Sequence, residues 1–240
     1  MLIRAAQPCL LDQHLQRWRE ASALLGLDPP PDRDQLMPLI EEAVHRALLD
    51  QECGALRLNW SRGSSPQRGI APPQPGQHRF WLTLQPWQPN FLPLTTVVSR
   101  LERRNCDSVL SRCKTFAYGQ AVQARREASQ QGCDDALLLN TRGELCCSTT
   151  ANLLLKPGTE NADRPWLTPP LTSGCLPGVM RARALQLGLA VEADLGESLG
   201  PDDQLLLINS LGCQRLLSLD QQPLSNPALA GELLWRALIN

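Results

Sequence analysis

The stretch "PWQPNFLP", residues 86–93, carries three prolines in eight residues. Each proline locks its own φ and removes a backbone donor, so neither a helix nor a central strand can run through this stretch. A chain built this way folds as two pieces. The predicted organisation is a small α/β domain over 1–85, a linker over 86–93 and a larger domain over 94–240. Strand and helix patterns occur on both sides, which predicts a two-domain α+β or α/β protein.

In the first piece, "HLQRWREASALLGL" (14–27) has apolar residues at helical intervals and stops at "DPPPD". A second helix is predicted over 34–49, with Asp34 able to cap its start. "ALRLNW" (55–60) alternates as a strand does, runs into a Gly/Pro/Ser/Arg loop over 61–77, and returns as the strand "HRFWLTLQP". In the second piece "TTVVSRL" reads as a strand and "YGQAVQARREASQQG" as a helix ending at Gly132. "DDALLLN" and "ELCCSTTANLLL" read as strands flanking a "TRG" turn. "KPGTENADRP" reads as a mobile loop, "DQLLLINS" as a buried strand and "NPALAGELLWRALI" as a terminal helix. Pro177 and Gly178 stand where a further helix would begin.

A net charge of -1 gives no electrostatic case for nucleic acid or an anionic membrane surface. No apolar run reaches the ~20 residues that span a bilayer, and "MLIRAAQPCLLDQ" turns polar too soon for a signal peptide. A cytoplasmic location is expected. The nine cysteines include no CxxC, and the three histidines lie far apart, so reduced, mostly buried thiols are expected and no metal site.

Among 23 basic residues only Lys114 and Lys156 are lysine. A composition bias toward arginine would remove lysines that only carry charge. It would spare one whose amine does chemistry, because arginine stays protonated at any working pH and a partly desolvated lysine does not. Lys156 lies beside a "PG" loop and needs no such explanation. Lys114, in "SRCKTFAYG", is the candidate nucleophile.

Several pieces taken in order carry a resemblance. They are "HLQRW", the "SRG…RG" loop, Lys114 ahead of "DDALLLN", then "TTANLLL", "TPPLTSGCLPGVMR" and "INS". Together they resemble the class IV (fold type IV) pyridoxal-phosphate enzymes, which include branched-chain and D-amino-acid aminotransferases and aminodeoxychorismate lyase. The resemblance implies a two-domain, D-amino-acid-aminotransferase-like fold and a homodimer acting on a small amino substrate. It implies that Lys114 forms a Schiff base with the cofactor aldehyde and then serves as base and acid. Arg17, the helix start at Gly178, Val179 and Met180, and Ser210 would hold the cofactor phosphate. Arg68, or Arg62 in the same lengthened loop, would meet a substrate carboxylate, and Tyr118 would lie near the cofactor hydroxyl. The short chain and "RLERRNCDSVLSRCKTFAYGQ" look most like the lyase branch, which makes p-aminobenzoate and pyruvate for folate synthesis. Amino-acid transamination, or a degenerate relative without activity, are the alternatives.

Two departures accompany the resemblance. The position five before Asn152, where the family has the glutamate that contacts the pyridine nitrogen, is Cys147, a poor substitute for a carboxylate. Glu144 is an odd number of residues earlier and would face the opposite side of a regular strand, so only a bulge could bring it across. The family also has a longer stretch before the "HLQR" helix, so the resemblance implies either a shortened N-terminal domain or a true start that lies upstream.

Overall fold

The computed structural model describes residues 1–49, 52–65, 68–158, 164–196, 199–200, 202–224 and 229–240. They form two units, Met1–Pro89 and Asn90–Asn240. Residues 159–163, half of the "KPGTENADRP" stretch read as a mobile loop, lie outside the described residues.

The first unit contains β1 (Leu2–Arg4), β2 (Gln7–Pro8), α1 (Leu11–Leu24), α2 (Arg33–Arg46), β3 (Cys53–Ser61) and β4 (Arg79–Pro86). Its antiparallel sheet runs β2-β1-β3-β4. The apolar stripes of both helices close over it, burying Leu11, Leu15, Leu36, Ile40 and Val44 with Ile3 and Leu56. The cap of α2 is Asp32 and not Asp34. The Asp32 carboxylate accepts from Gln35 N at 3.0 Å and the Gln35 side chain accepts from Asp32 N at 3.0 Å, a reciprocal capping box that leaves Asp34 in the first turn. Strands β1 and β2 had no counterpart in the sequence reading. Their two-residue turn is Ala5-Ala6, both at positive φ, where Asn-Gly would be the usual signal.

The second unit contains β5 (Leu94–Val98), α3 (Gly119–Gln130), β6 (Asp135–Leu139), β7 (Leu145–Ser148), β8 (Asn152–Lys156), β9 (Trp166–Thr168) and α4 (Val179–Gln186). It continues with β10 (Ala190–Glu192), β11 (Gln204–Asn209), β12 (Gly212–Leu219), β13 (Gln222–Pro223) and α5 (Ala230–Ile239). "ELCCSTTANLLL" is therefore two strands with a turn between them. The strands run β8-β11-β12-β5-β6-β7, and β7 pairs again with β8, so six strands close into a barrel. Its interior is leucine-rich, with Leu137, Leu145, Leu153, Leu205, Leu207 and Leu216 buried together. On the outside, Ala124 and Ala128 of α3 pack against Val97, Ala136 and Leu138. Small alanines let the helix lie close to the sheet.

A bulge interrupts β7. Leu138 pairs with Cys147 and Leu139 with Leu145, which leaves Cys146 as an extra residue. The bulge turns Cys146 and Cys147 to the same face, against α3, where both are buried.

Helix α5 follows the predicted segment, although 225–228 lie outside the described residues. Trp235 and Leu238 are buried within this unit. Trp235 Nε1 donates to Asn209 O at 3.0 Å and its ring meets Phe91 edge-on. Leu234 is half-buried, and the exposed leucine of this helix is Leu233. Among the described residues no helix is long and apolar enough to cross a membrane.

Glu127 anchors α3 to the end of β5. Its buried carboxylate accepts from Ser99 Oγ at 2.6 Å and Arg100 N at 2.8 Å. Burial pushes this carboxyl up, but the Ser99, Arg100 and Leu101 hydrogen bonds and the Arg100 charge outweigh it and leave it below the usual range. A carboxyl depressed on folding contributes stability that is complete above its ordinary pKa of about 4.3 and lost as pH falls through the lower folded value. Glu127→Gln should cost about 1–3 kcal/mol at neutral pH in chemical denaturation. It should also remove that component of acid destabilisation, so the difference from wild type should shrink as the pH is lowered.

Candidate active site

Lys114 follows the 3₁₀ turn Val109–Arg112 and precedes α3, on an exposed segment. The turn is well fixed on its N-terminal side. Ser108 Oγ accepts from Leu110 N at 3.3 Å, Ser111 Oγ donates to Asn105 O at 2.6 Å, and Cys113 is buried. Tyr118 is the N-cap residue of α3 and is exposed, so it is not a core tyrosine. Gln120 Nε2 donates to Arg103 O at 2.6 Å and ties the first turn of α3 back to the stretch before Lys114.

The other candidate positions of this unit gather at one end of the barrel. Cys147 pairs with Asn152, and Asn152 with Ile208, two residues before Ser210 in the β11–β12 turn. Asn152 Nδ2 donates to Leu176 O at 2.9 Å, and a Cβ at Gly178 would run into Asn152 Oδ1. Glycine at 178 is therefore required by the close approach of the asparagine and not by its backbone conformation, whose φ is −69°. Helix α4 starts beside Asn152 and packs against β11. Gly178 offers no side chain to cap it, so the N–H groups of the first turn, those of Val179 and Met180 included, are left for an anion.

Arg181 has a different task. Its guanidinium is 3% exposed and donates from Nε and Nη2 to Pro169 O, at 3.2 and 2.6 Å, and to Glu192 at 2.5 Å. Thr168 Oγ1 donates to Leu153 O at 2.8 Å. The "TP…GVMR" pattern is thus a frame that holds the start of α4 against β8. The Ser173 hydroxyl, on the approach to α4, is buried and has no hydrogen-bond partner among the described residues.

Cys147 occupies the place next to Asn152 as a buried thiol beside Cys146. Cys146 keeps its proton and donates it to Ser173 O at 3.2 Å, and the interaction of the two neighbouring thiols pushes Cys146 up and Cys147 down. Burial works against the lowering at Cys147, and the Arg104 charge adds to it. Burial also raises the nearby Cys175 thiol, to about 11. The bulge supplies the change of parity that Glu144 needed to share a face with Cys147. Even so, Glu144 serves the hairpin turn, accepting from Asn140 Nδ2 at 2.7 Å and Arg142 Nε at 3.1 Å.

The remaining candidates belong to the first unit. Arg17 lies half-buried on α1, its Nη2 3.5 Å from His14 Nδ1, and burial lowers its pKa. Arg62 is a helix cap. Its Nη2 donates to Leu25 O at 2.9 Å and Gly26 O at 2.5 Å at the end of α1. Arg68 is exposed on the β3–β4 loop. Arg104, Ser173 and the Cys146 bulge went unnoticed in the sequence. Arg104 is indistinct among neighbouring arginines, and a bulge has no residue signature.

A family model described as amino-transferase class IV matches residues 1–216. A Schizosaccharomyces pombe protein provisionally named an aminodeoxychorismate lyase is 25% identical over 205 residues, 84% of this chain and 80% of that protein. A Mycobacterium tuberculosis protein named bifunctional aminodeoxychorismate lyase / D-amino acid transaminase is 26% identical over 183 residues. That match covers 71% of this chain and 60% of the relative's length. The solved structure of a hypothetical aminotransferase from M. tuberculosis, in its PLP-bound form, superposes with a TM-score of 0.80. The two are 22% identical, and the match covers 99% of this chain and 86% of that one, a likeness of fold.

The contact between Gly178 and Asn152 is testable by itself. Gly178→Ala should destabilise the protein by about 1–3 kcal/mol, since Asn152 must move and give up its bond to Leu176. In an Asn152→Ala background the same change should cost much less, and a double-mutant cycle in urea would measure the coupling.

Proposed function

The chain belongs to the amino-transferase class IV family, and on that premise we propose that it is a pyridoxal-phosphate-dependent lyase splitting 4-amino-4-deoxychorismate into p-aminobenzoate and pyruvate. The observation that carries the reading is that both curated relatives bear the lyase name across most of this chain. The residues fit the cofactor at two places. Gly178 leaves a bare, uncapped helix start suited to a phosphate, and the exposed Lys114 offers an amine for covalent attachment. Arg17 and Ser210 are the further phosphate ligands in this reading, and Arg68 and Tyr118 attend the substrate.

When bound, the cofactor supplies an electron sink for the carbon that carries the substrate amine. Lys114 Nζ, once freed from attachment, takes the proton from that carbon. Cleavage of the ring C–O bond would then leave the ring aromatic and release enolpyruvate, which takes up a proton at its methylene carbon to become pyruvate. Cys147 is the residue assigned to the ring nitrogen. As a neutral thiol it would be a weak partner for a protonated ring nitrogen. Cys146 and the Arg104 charge favour its thiolate, which would carry the negative charge a carboxylate brings, while burial opposes that charge. Transamination of an amino acid is the second reading, favoured by the double name of the M. tuberculosis relative. A homodimer is also proposed. Val109, Leu110, Phe116, Tyr118 and Val122 form exposed apolar surface around the Lys114 segment that a second copy would cover.

Purified protein given the cofactor should show a visible absorption band that Lys114→Ala abolishes, and should release p-aminobenzoate from the substrate. A band without p-aminobenzoate, but with keto-acid-dependent amino transfer, would select transamination. No band at all would mark a relative that has lost the chemistry. Cys147→Glu should raise turnover by about tenfold or more if the thiol limits protonation of the ring, measured as kcat at saturating cofactor.

A further inference from the structure

Arg104 joins three segments that the sequence keeps apart. Its guanidinium donates from Nη2 to Ser111 O at 2.8 Å, three residues before Lys114. It donates from Nε to Gly174 O at 3.1 Å, four residues before Gly178. Its backbone is held on both sides by the β6–β7 hairpin, with N donating to Leu139 O at 2.8 Å and O accepting from Thr141 N at 2.9 Å. The two carbonyls it grips belong to two short 3₁₀ turns, Val109–Arg112 and Leu171–Ser173 with its cap residue Gly174. Ser111 lies in the turn that presents Lys114. Gly174 is at φ +88°, in the left-handed region, where a Cβ would crowd Cys106, and it leads directly into Leu176, Pro177 and Gly178. A planar fork of donors meets two carbonyls at once, which a lysine ammonium cannot do in one fixed orientation.

We infer that Arg104 is a positioning residue that sets where the Lys114 amine stands relative to the anion-holding start of α4. The inference rests on the reading of Lys114 as the covalent anchor. Two independent requirements meet in the cofactor, a phosphate placed at α4 and an aldehyde carbon placed at Lys114 Nζ. They are satisfied together only if the Lys114 segment and the α4 approach keep a constant separation. Arg104 spans Ser111 and Gly174 with one guanidinium. Its charge also lies near Cys146, Cys147 and Cys175 and favours their thiolate forms, so its removal would alter the thiol cluster as well as the spacing.

Pyridoxamine phosphate and pyridoxal phosphate separate this role from a merely structural one. Pyridoxamine phosphate uses the phosphate cradle without bonding Lys114, whereas pyridoxal phosphate needs both. Arg104→Ala should bind pyridoxamine phosphate within about threefold of wild type. Its rate of attachment to Lys114, read by borohydride fixation and mass spectrometry, should fall by about a hundredfold, the order expected for a misplacement near 1 Å. Arg104→Lys should lie between the two, and free guanidinium ion should partly restore Arg104→Ala. If Arg104→Ala does not fold, Arg104→Lys is read by the same split between the two ligands. Equal loss of both ligands, or attachment at the wild-type rate, would overturn the inference while leaving the proposed function standing. A wild-type protein that never attaches the aldehyde would overturn both.

Discussion

Closing six strands into a ring obliges β7 to bond along both of its edges within four residues. It pairs with β6 on one side and with β8 on the other. A regular strand that short would carry its two neighbours in step. The bulge at Cys146 gives the ring its local bend and lets Cys147 face Asn152 as β8 begins. From that pairing follows the placement of the whole barrel end. Asn152 reaches Leu176 and leaves no room for a side chain at 178, and α4 begins there with its donors open. Around it, Arg181 and Thr168 fasten the helix start to β8 and Pro169.

The same bulge decides the electrostatics. By turning two consecutive thiols to one face it makes them neighbours, and their interaction favours charge on Cys147 at the expense of Cys146, whose own Sγ donates to Ser173 O. Burial in an apolar cluster opposes any charge there, while Arg104 supports it. A carboxylate at this position would hold a proton on a bound ring nitrogen by itself. In the proposed reading a thiol pair would do so only with help from its surroundings, the Arg104 charge among them. Glu144 does not restore the carboxylate. It serves the hairpin turn, where it pairs with Arg142 and its Oε2 accepts from both Asn140 and Arg142.

The helices and the long strands were legible because burial writes a period into the sequence. α1, α2, α3, β3, β4 and β11 all lie where that period placed them, within a few residues. What failed was local. The Ala5-Ala6 turn and the Asp220-Gln221 turn between β12 and β13 both use positive φ without glycine, so neither announces a hairpin. "ELCCSTTANLLL" looked continuous because its four-residue turn, Ser148–Ala151, is closed by Ser148 and has no Gly or Pro. The motif positions of the site could be read in order along the chain, but not the bonds that set their geometry. Arg104 and Arg181 act on backbone carbonyls, and a carbonyl has no identity in a sequence.

That last point gives the arginine bias a structural side. Arg62 grips Leu25 and Gly26, Arg104 grips Ser111 and Gly174, Arg125 donates to Asp134 O at 2.7 Å, and Arg181 grips Pro169. Each holds loop chain through a planar, permanently charged fork, a task for which lysine is the weaker choice. If arginine has taken over positional duties so widely, charge and carbonyl binding are poor reasons for a lysine to remain. The property that arginine cannot imitate is an amine able to lose its proton and form a bond. Position 114 retains that property on the segment that Arg104 ties to the open end of α4.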